Sequence, residues 1–206
     1  ANYVLEADIA FTQEDFEKNG EFFNEGKYWK PIGMKDVEGD TNIFFGYFDG
    51  NGYSIEGLRI KSDSKTDYGV GLFAENEGII DSLYMKNGQI TFEENEERGG
   101  ILIGSIVGVN YGIIKGCYNG NNINVLLSDD TYIGFIKCGG IVGGNNGLIE
   151  GCYNKGKLNI SLQSDEVIGY GGITGENYST GTINKCYNIG AIHGSGPTGG
   201  IAGFNF

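Results

Sequence analysis

The sequence predicts an all-β chain wound as a parallel β-helix, a β-solenoid with about three short strands per coil. Three observations predict it: an excess of glycine, a repeated block of residues, and the absence of sustained helical periodicity. Glycine accounts for 38 of the 206 residues and proline for 2, against an average glycine share of about 7%. The glycines follow no G-X-Y period, which excludes collagen. A hydrophobic fraction of 39% with 13% aromatics excludes a disordered chain, because that much apolar surface can form a core. Frequent turns between short strands remain. The only helix-like stretch is a short one near Gln13 to Asn19.

The repeat carries most of the argument, since a fixed period of this length is the signature of stacked architectures. One copy reads Ile106-Val107-Gly108-Val109-Asn110-Tyr111-Gly112-Ile113-Ile114-Lys115-Gly116-Cys117-Tyr118-Asn119. The next reads Ile141-Val142-Gly143-Gly144-Asn145-Asn146-Gly147-Leu148-Ile149-Glu150-Gly151-Cys152-Tyr153-Asn154. A later copy starts at Ile173, carries two extra residues before Gly181, and runs through Ile183 to Cys186-Tyr187-Asn188. A weaker one runs from Leu72-Phe73 through Asn76, Gly78 and Ile80 to Leu83-Tyr84, and the last stops at Asn205.

Within the copy at 103–127 three strands are expected: Ile103 to Gly108, Ile113 to Lys115, and Cys117 onward to Leu127. Asn110-Tyr111-Gly112 reads as a turn, because Asn and Gly tolerate positive φ, and Gly116 and Gly151 as tighter bends. Stacked coils then align equivalent residues at the inter-strand spacing of about 4.8 Å. Ile80, Ile114, Ile149 and Ile183 form one inward column, and Leu83, Cys117, Cys152 and Cys186 another. Tyr84, Tyr118, Tyr153 and Tyr187 form an outward ladder, the candidate binding surface. Asn76, Asn110, Asn145, Asn177 and Asn205 stack their amides, each donating to the next carbonyl. The segments Gln89 to Gly99, Asn124 to Gly139 and Asn159 to Gly171 differ in length and are rich in charge, which places the variable loops along one edge.

One solenoid domain spans 1–206, with 1–68 as leader and N-terminal coils and 69–206 as the repeats, the last incomplete. The chain opens inside a strand-like pattern, Tyr3 to Ile9, and stops inside a repeat. It therefore reads as a piece of something longer.

The repeat residues resemble the GLUG-motif repeats of bacterial surface proteins, including the non-catalytic region beside IgA-specific metallopeptidases. Ile141 to Asn154 carries the likeness. The stretches Trp29-Lys30-Pro31-Ile32-Gly33 and Phe45-Gly46-Tyr47-Phe48-Asp49-Gly50-Asn51-Gly52-Tyr53-Ser54-Ile55 resemble the leader before such repeats. The resemblance implies a right-handed β-helix, export, an extracellular or cell-surface location, and no catalytic residue. A zinc peptidase needs His-Glu-x-x-His, whereas this chain has one histidine.

Other chemistries are tested by their residues. Arg59-Ile60-Lys61, Asp129-Asp130 and His193-Gly194 resemble pieces of polygalacturonases, but in the wrong order, and paired carboxylates cleave glycosides only when held about 5–10 Å apart. The plainer reading is that Arg59 and Lys61 flank an inward Ile60. Glu93, Glu94, Glu96, Glu97, Asp129, Asp130, Asp165 and Glu166 fall in the variable loops and read as a solvated or partner-facing edge. A calcium site would need several oxygens converging at about 2.3–2.6 Å, and the chain lacks the nonapeptide of calcium-binding β-rolls. Cys117, Cys152 and Cys186 share one repeat position and read as core filler. With the unrepeated Cys138 they are expected as free thiols, because stacked side chains rarely reach the disulfide dihedral. No metal or other cofactor is expected.

A net charge of −13 argues against nucleic acid and against anionic membranes, since both recruit clustered Lys and Arg. The chain also lacks an apolar run long enough to insert in a membrane. The expected function is a non-catalytic module of a secreted or surface-anchored protein, serving as adhesin segment, spacer or fibre subunit. The alternative is a carbohydrate- or protein-binding module of a larger extracellular enzyme, with a polysaccharide-degrading enzyme behind it. Expected partners are surface glycans or proteins, or further copies paired head to tail.

Overall fold

A computed structural model describes residues 1–34, 43–62, 68–94, 99–127, 134–161, 167–194 and 196–206. It is a right-handed parallel β-helix built from five parallel sheets, one on each face of the coil. The order around the coil follows the chain. Face one holds Asn2–Val4, Tyr47–Asp49, Ile79–Asp81, Ile113–Lys115, Leu148–Glu150 and Thr182–Asn184. Face two holds Ile9–Ala10, Ser54–Glu56, Tyr84–Lys86, Tyr118–Asn119, Tyr153–Asn154 and Tyr187–Asn188. Face three holds Arg59–Ser62, Gln89–Glu94, Asn122–Leu127, Leu158–Ser161 and Ile192–His193. Face four holds Gly69–Val70, Ile101–Gly104, Phe135–Gly139, Val167–Gly171 and Thr198–Gly199, and face five Phe73–Asn76, Val107–Asn110, Val142–Asn145, Thr174–Asn177 and Ala202–Asn205.

Five strands per coil replace the expected three, because two of the expected strands each contain a bend. Ile103 to Gly108 is divided between faces four and five, and Cys117 to Leu127 between faces two and three. The two bends fall at Ser105 and Asn121, single polar residues that are buried and of the kind that also interrupts a straight strand. Alternation alone therefore reads across them.

The core is a set of columns in register. Ile80, Ile114, Ile149 and Ile183 pair directly on face one, below Phe48. On face three Ile60, Ile90, Ile123, Leu158 and Ile192 do the same. Ile80, Ile114 and Ile149 are fully buried, while Ile183, in the last coil, is only partly covered. Full burial of one such side chain stabilises by about 1.5–3 kcal/mol, so every added coil contributes its own increment. Cys117 and Cys152 are buried beneath Leu83, and Cys186 is partly buried at the column's end. All four cysteines are free thiols, and burial pushes the Cys138 thiol well above its ordinary range.

Two corners show why particular residues are needed. Between faces one and two, Gly116 and Gly151 have φ of 61° and 62°, as expected for a tight bend. The same corner in other coils places Ser82 at 50° and Lys185 at 52°, a conformation unfavourable for side-chain-bearing residues. Between faces five and one the expectation of positive φ at Asn110 and Gly112 is not met: neither residue adopts it. The glycine answers a different need. A Cβ at Gly112 would overlap the carbonyl oxygen of Gly78, and one at Gly147 that of Gly112. These glycines let one backbone lie directly on the next.

The low-numbered end carries an aromatic cap. Phe11, Phe16, Phe22, Tyr28 and Trp29 pack on one another with ring centroids between 5.1 and 6.2 Å. The expected short helix near Gln13 is a single 3-10 turn, Glu14–Phe16. Trp29 donates its backbone N–H to Arg59, and Ile32 bridges to Phe73, so the first stretch of the predicted leader lies along faces three and five, while its second stretch supplies Tyr47–Asp49 of face one and Ser54–Glu56 of face two.

Candidate functional site

The asparagine column sits at the corner between faces five and one. Asn76 donates its Nδ2 to Asn110 Oδ1 at 2.8 Å, Asn110 to Asn145 at 2.8 Å, Asn145 to Asn177 at 2.8 Å and Asn177 to Asn205 at 3.0 Å. The successive spacings are 34, 35, 32 and 28 residues. Asn76, Asn110, Asn145 and Asn177 also donate to a carbonyl of their own turn, Gly78, Gly112, Gly147 and Gly181, and Asn76 accepts from the Gly78 N–H. Such side chains satisfy backbone groups that burial would otherwise strand, which is a structural role.

A second amide column was missed by sequence reasoning. Asn119 donates to Asn154 Oδ1 and Asn154 to Asn188 Oδ1, both at 2.8 Å, on the inner side of face two. Its signal was the Cys-Tyr-Asn triplet of the repeat. In earlier coils the same position holds Ile55 and Met85, so the column lacks a counterpart in the weaker first copy.

The tyrosine ladder lies on the outer side of face two. Tyr84 and Tyr118 meet edge to face at 6.2 Å, Tyr118 and Tyr153 tilt at 4.4 Å, and Tyr153 and Tyr187 stack at 4.9 Å with 6° between planes. Only Tyr153 and Tyr187 lie parallel and cover one face of each other, and Tyr187, 52% exposed, is the most open ring of the ladder.

The residues that resemble polygalacturonase pieces are not gathered. Arg59 and Lys61 occupy the first strand of face three and His193 the last, with three strands between. Four inter-strand steps separate them by about 19 Å. Ile60 between the two basic residues is buried, as expected. Asp129, Asp130, Glu96, Glu97, Asp165 and Glu166 lie outside the described residues, and so does the side chain of Glu94. Glu93 is described, and it pairs with Lys61 at 2.7 Å. Among the described residues no group of three or more His, Cys, Asp or Glu is arranged to hold a metal ion.

A different surface brings chemistry together. Outside the main core, faces four and five pack against each other along a second zone. Two columns meet there: Gly69, Leu102, Lys137 and Gly169 on face four, and Glu75, Val109, Gly144, Glu176 and Phe204 on face five. Lys137 is 5% exposed, its Nζ lies 3.4 Å from Glu176 Oε2 and 3.9 Å from the centre of the Phe204 ring. Burial lowers the Lys137 pKa, and the Glu176 carboxylate works against that shift. The Tyr178 phenol is pushed up by burial and then by the Glu176 charge. Toward the low-numbered end this zone opens into a cleft of about 190 Å³. Met34, Tyr68, Gly69, Glu75, Val109 and Tyr111 line it. Tyr68 and Tyr111 are each 50% exposed, and both phenols are raised, by burial first and by Glu75 among the nearby groups. The sequence signal was faint, since the two tyrosines occupy unrelated repeat positions and converge only through the corner between faces four and five.

No family model matches the chain, and no solved structure matches it. Over 90 residues it is 34% identical to a protein of Evansella cellulosilytica that bears the name "Putative Gly-rich membrane protein". That stretch is 43% of this chain and 9% of the relative, so the chain spans under a tenth of the relative's length. No helix among the described residues is long and apolar enough to cross a membrane.

Proposed function

We propose that this β-solenoid is a rigid, non-catalytic module of an exported bacterial surface protein, holding other parts of that protein away from the cell as a spacer or adhesin segment. The observation that carries this reading is the unbroken register of all five faces, with asparagine side chains bonded from coil to coil from Asn76 to Asn205. Six stacked strands on face one span about 24 Å, and the length grows with each coil while the cross-section stays fixed. The likeness to GLUG-motif repeats supports export, and the name of the Evansella relative is in keeping with a place at the cell envelope.

Location is tested by protease treatment of intact cells that make the protein. Release of immunoreactive solenoid from unbroken cells supports the reading, and full protection until lysis refutes it. The spacer role is tested by deleting residues 113–147, which joins Gly112 to Leu148 in the register that Ile113 now holds. A spacer keeps its fold and shortens by about 4.8 Å in small-angle scattering. Collapse of the fold would show that the coils are not interchangeable units.

A further inference from the structure

We propose that Lys137 and Glu176 condense into an intramolecular amide, a covalent staple between two successive windings. Lys137 lies on the face-four strand Phe135–Gly139, and Glu176 on the face-five strand Thr174–Asn177 of the following winding. Their side chains are 6% and 11% exposed, and the Lys137 Nζ stands 3.4 Å from Glu176 Oε2. The carboxyl carbon is one bond from that oxygen, so amine and electrophile are close to the near-attack separation of about 3–3.5 Å. By contrast, the ion pairs Lys61–Glu93 and Lys115–Asp81 each leave one partner 44% exposed. The surroundings of Lys137 and Glu176 are built to keep them dry. In the Lys137 column the following residue is Gly169, where a Cβ would overlap the Phe204 ring. In the Glu176 column the preceding residue is Gly144, where a Cβ would meet Leu102 and the Tyr178 ring. These two glycines let Leu102, Tyr178 and Phe204 close over the pair, with the Phe204 ring centre 3.9 Å from Nζ.

Three points favour condensation over a permanent ion pair. Burying two charges is costly even when they pair, and an amide removes both. Burial lowers the Lys137 pKa, which raises the share of neutral amine, the nucleophilic form. Exclusion of water from the site opposes the reverse hydrolysis. The step balances within the chain. Proton transfer from the ammonium to the carboxylate gives amine and carboxylic acid with no change in total protons. The Nζ lone pair then attacks the Glu176 carboxyl carbon and a C–N bond forms. The C–O bond to the hydroxyl breaks, and that hydroxyl leaves with a proton from Nζ as one water. Tyr178, whose phenol is hydrogen-bonded to the Glu176 side chain, relays that proton. Nothing is oxidised or reduced, and no co-reactant is needed. Lys137 is 5% exposed, so the electrophile it meets is the one beside it.

The test is the mass of the intact chain, shown to be folded by circular dichroism and then weighed under denaturing conditions, where an ion pair dissociates and an amide does not. The chain is expected to weigh one water less than its sequence requires. Trypsin then locates the bond. Lys137 held as an amide is no longer a cleavage site, so residues 116–155 stay one peptide, joined to residues 158–185. Tandem mass spectrometry should place the branch at Lys137 and Glu176. Lys137→Arg keeps a positive charge beside Glu176 but stays protonated and does not attack. It should show the full mass and cleavage after residue 137. A folded natural chain that keeps its full mass through prolonged incubation, a missing water located at other residues, or the same loss in Lys137→Arg would each overturn the proposal.

Discussion

Replacing Asn145 with alanine tests the coil-to-coil amide column directly. Asn145 accepts from Asn110 at 2.8 Å and donates to Asn177 at 2.8 Å. It also spans its own turn, donating to the Gly147 carbonyl at 3.1 Å and accepting from the Gly147 N–H at 3.3 Å. Alanine removes both inter-coil bonds, each of net worth about 1 kcal/mol. It also strands an amide hydrogen of Asn110 and the Oδ1 of Asn177, both buried, at about 1 kcal/mol or more each. Allowing for partial relaxation, the loss is roughly 3 kcal/mol. Asn205→Ala at the exposed end removes the bond from Asn177 at 3.0 Å and should cost about 1 kcal/mol. Equilibrium urea unfolding followed by circular dichroism reads both variants, with native-state hydrogen exchange locating the loss. If Asn145→Ala falls within about 0.5 kcal/mol of Asn205→Ala, the column contributes no more at its middle than at its end, and the stacking argument fails.

Gly147→Ala forces a methyl group onto the Gly112 carbonyl and should destabilise by about 1–3 kcal/mol in the same urea assay, whereas alanine at Gly26, with open space around it, tests backbone conformation alone. Asp81 is held below its ordinary pKa: partial burial pushes it up, but hydrogen bonds from Lys115, Tyr47 and Ser82 outweigh that. A depressed folded-state value means the stabilisation is complete above about pH 4 and lost as pH falls through it. The melting temperature of the natural protein should therefore drop more steeply under acid than that of Asp81→Asn. A neutral thiol reagent should leave Cys117, Cys138 and Cys152 unmodified in the folded protein and reach only the partly exposed Cys186, slowly, because a hydrogen bond with Cys152 and burial raise its thiol. Mass spectrometry after brief labelling distinguishes this from uniform modification.

The columns were legible in the sequence because a solenoid writes its third dimension into the period. Ile114 lies against Ile149, and Tyr118 against Tyr153, simply because each stands at the same place in its copy. The corners were less legible. Ser105 and Asn121 are polar residues buried inside bends, where they resemble ordinary interruptions of an apolar run, so five strands read as three. Gly112 looked like a residue chosen for its φ, yet its backbone conformation is ordinary and the constraint comes from the neighbouring coil. The cleft was the least legible feature. Tyr68 precedes one strand and Tyr111 follows another, and no periodic signal links them; their proximity depends on how sharply the chain folds between faces four and five.

All amides of the Asn76 column point the same way, each Nδ2 directed toward the following coil. Aligned dipoles polarise one another, so the middle of the row holds more firmly than its last members. A break in the row is therefore felt on both sides: taking out one amide leaves the coil before it without an acceptor and the coil after it without a donor, and weakens the bonds beyond them as well.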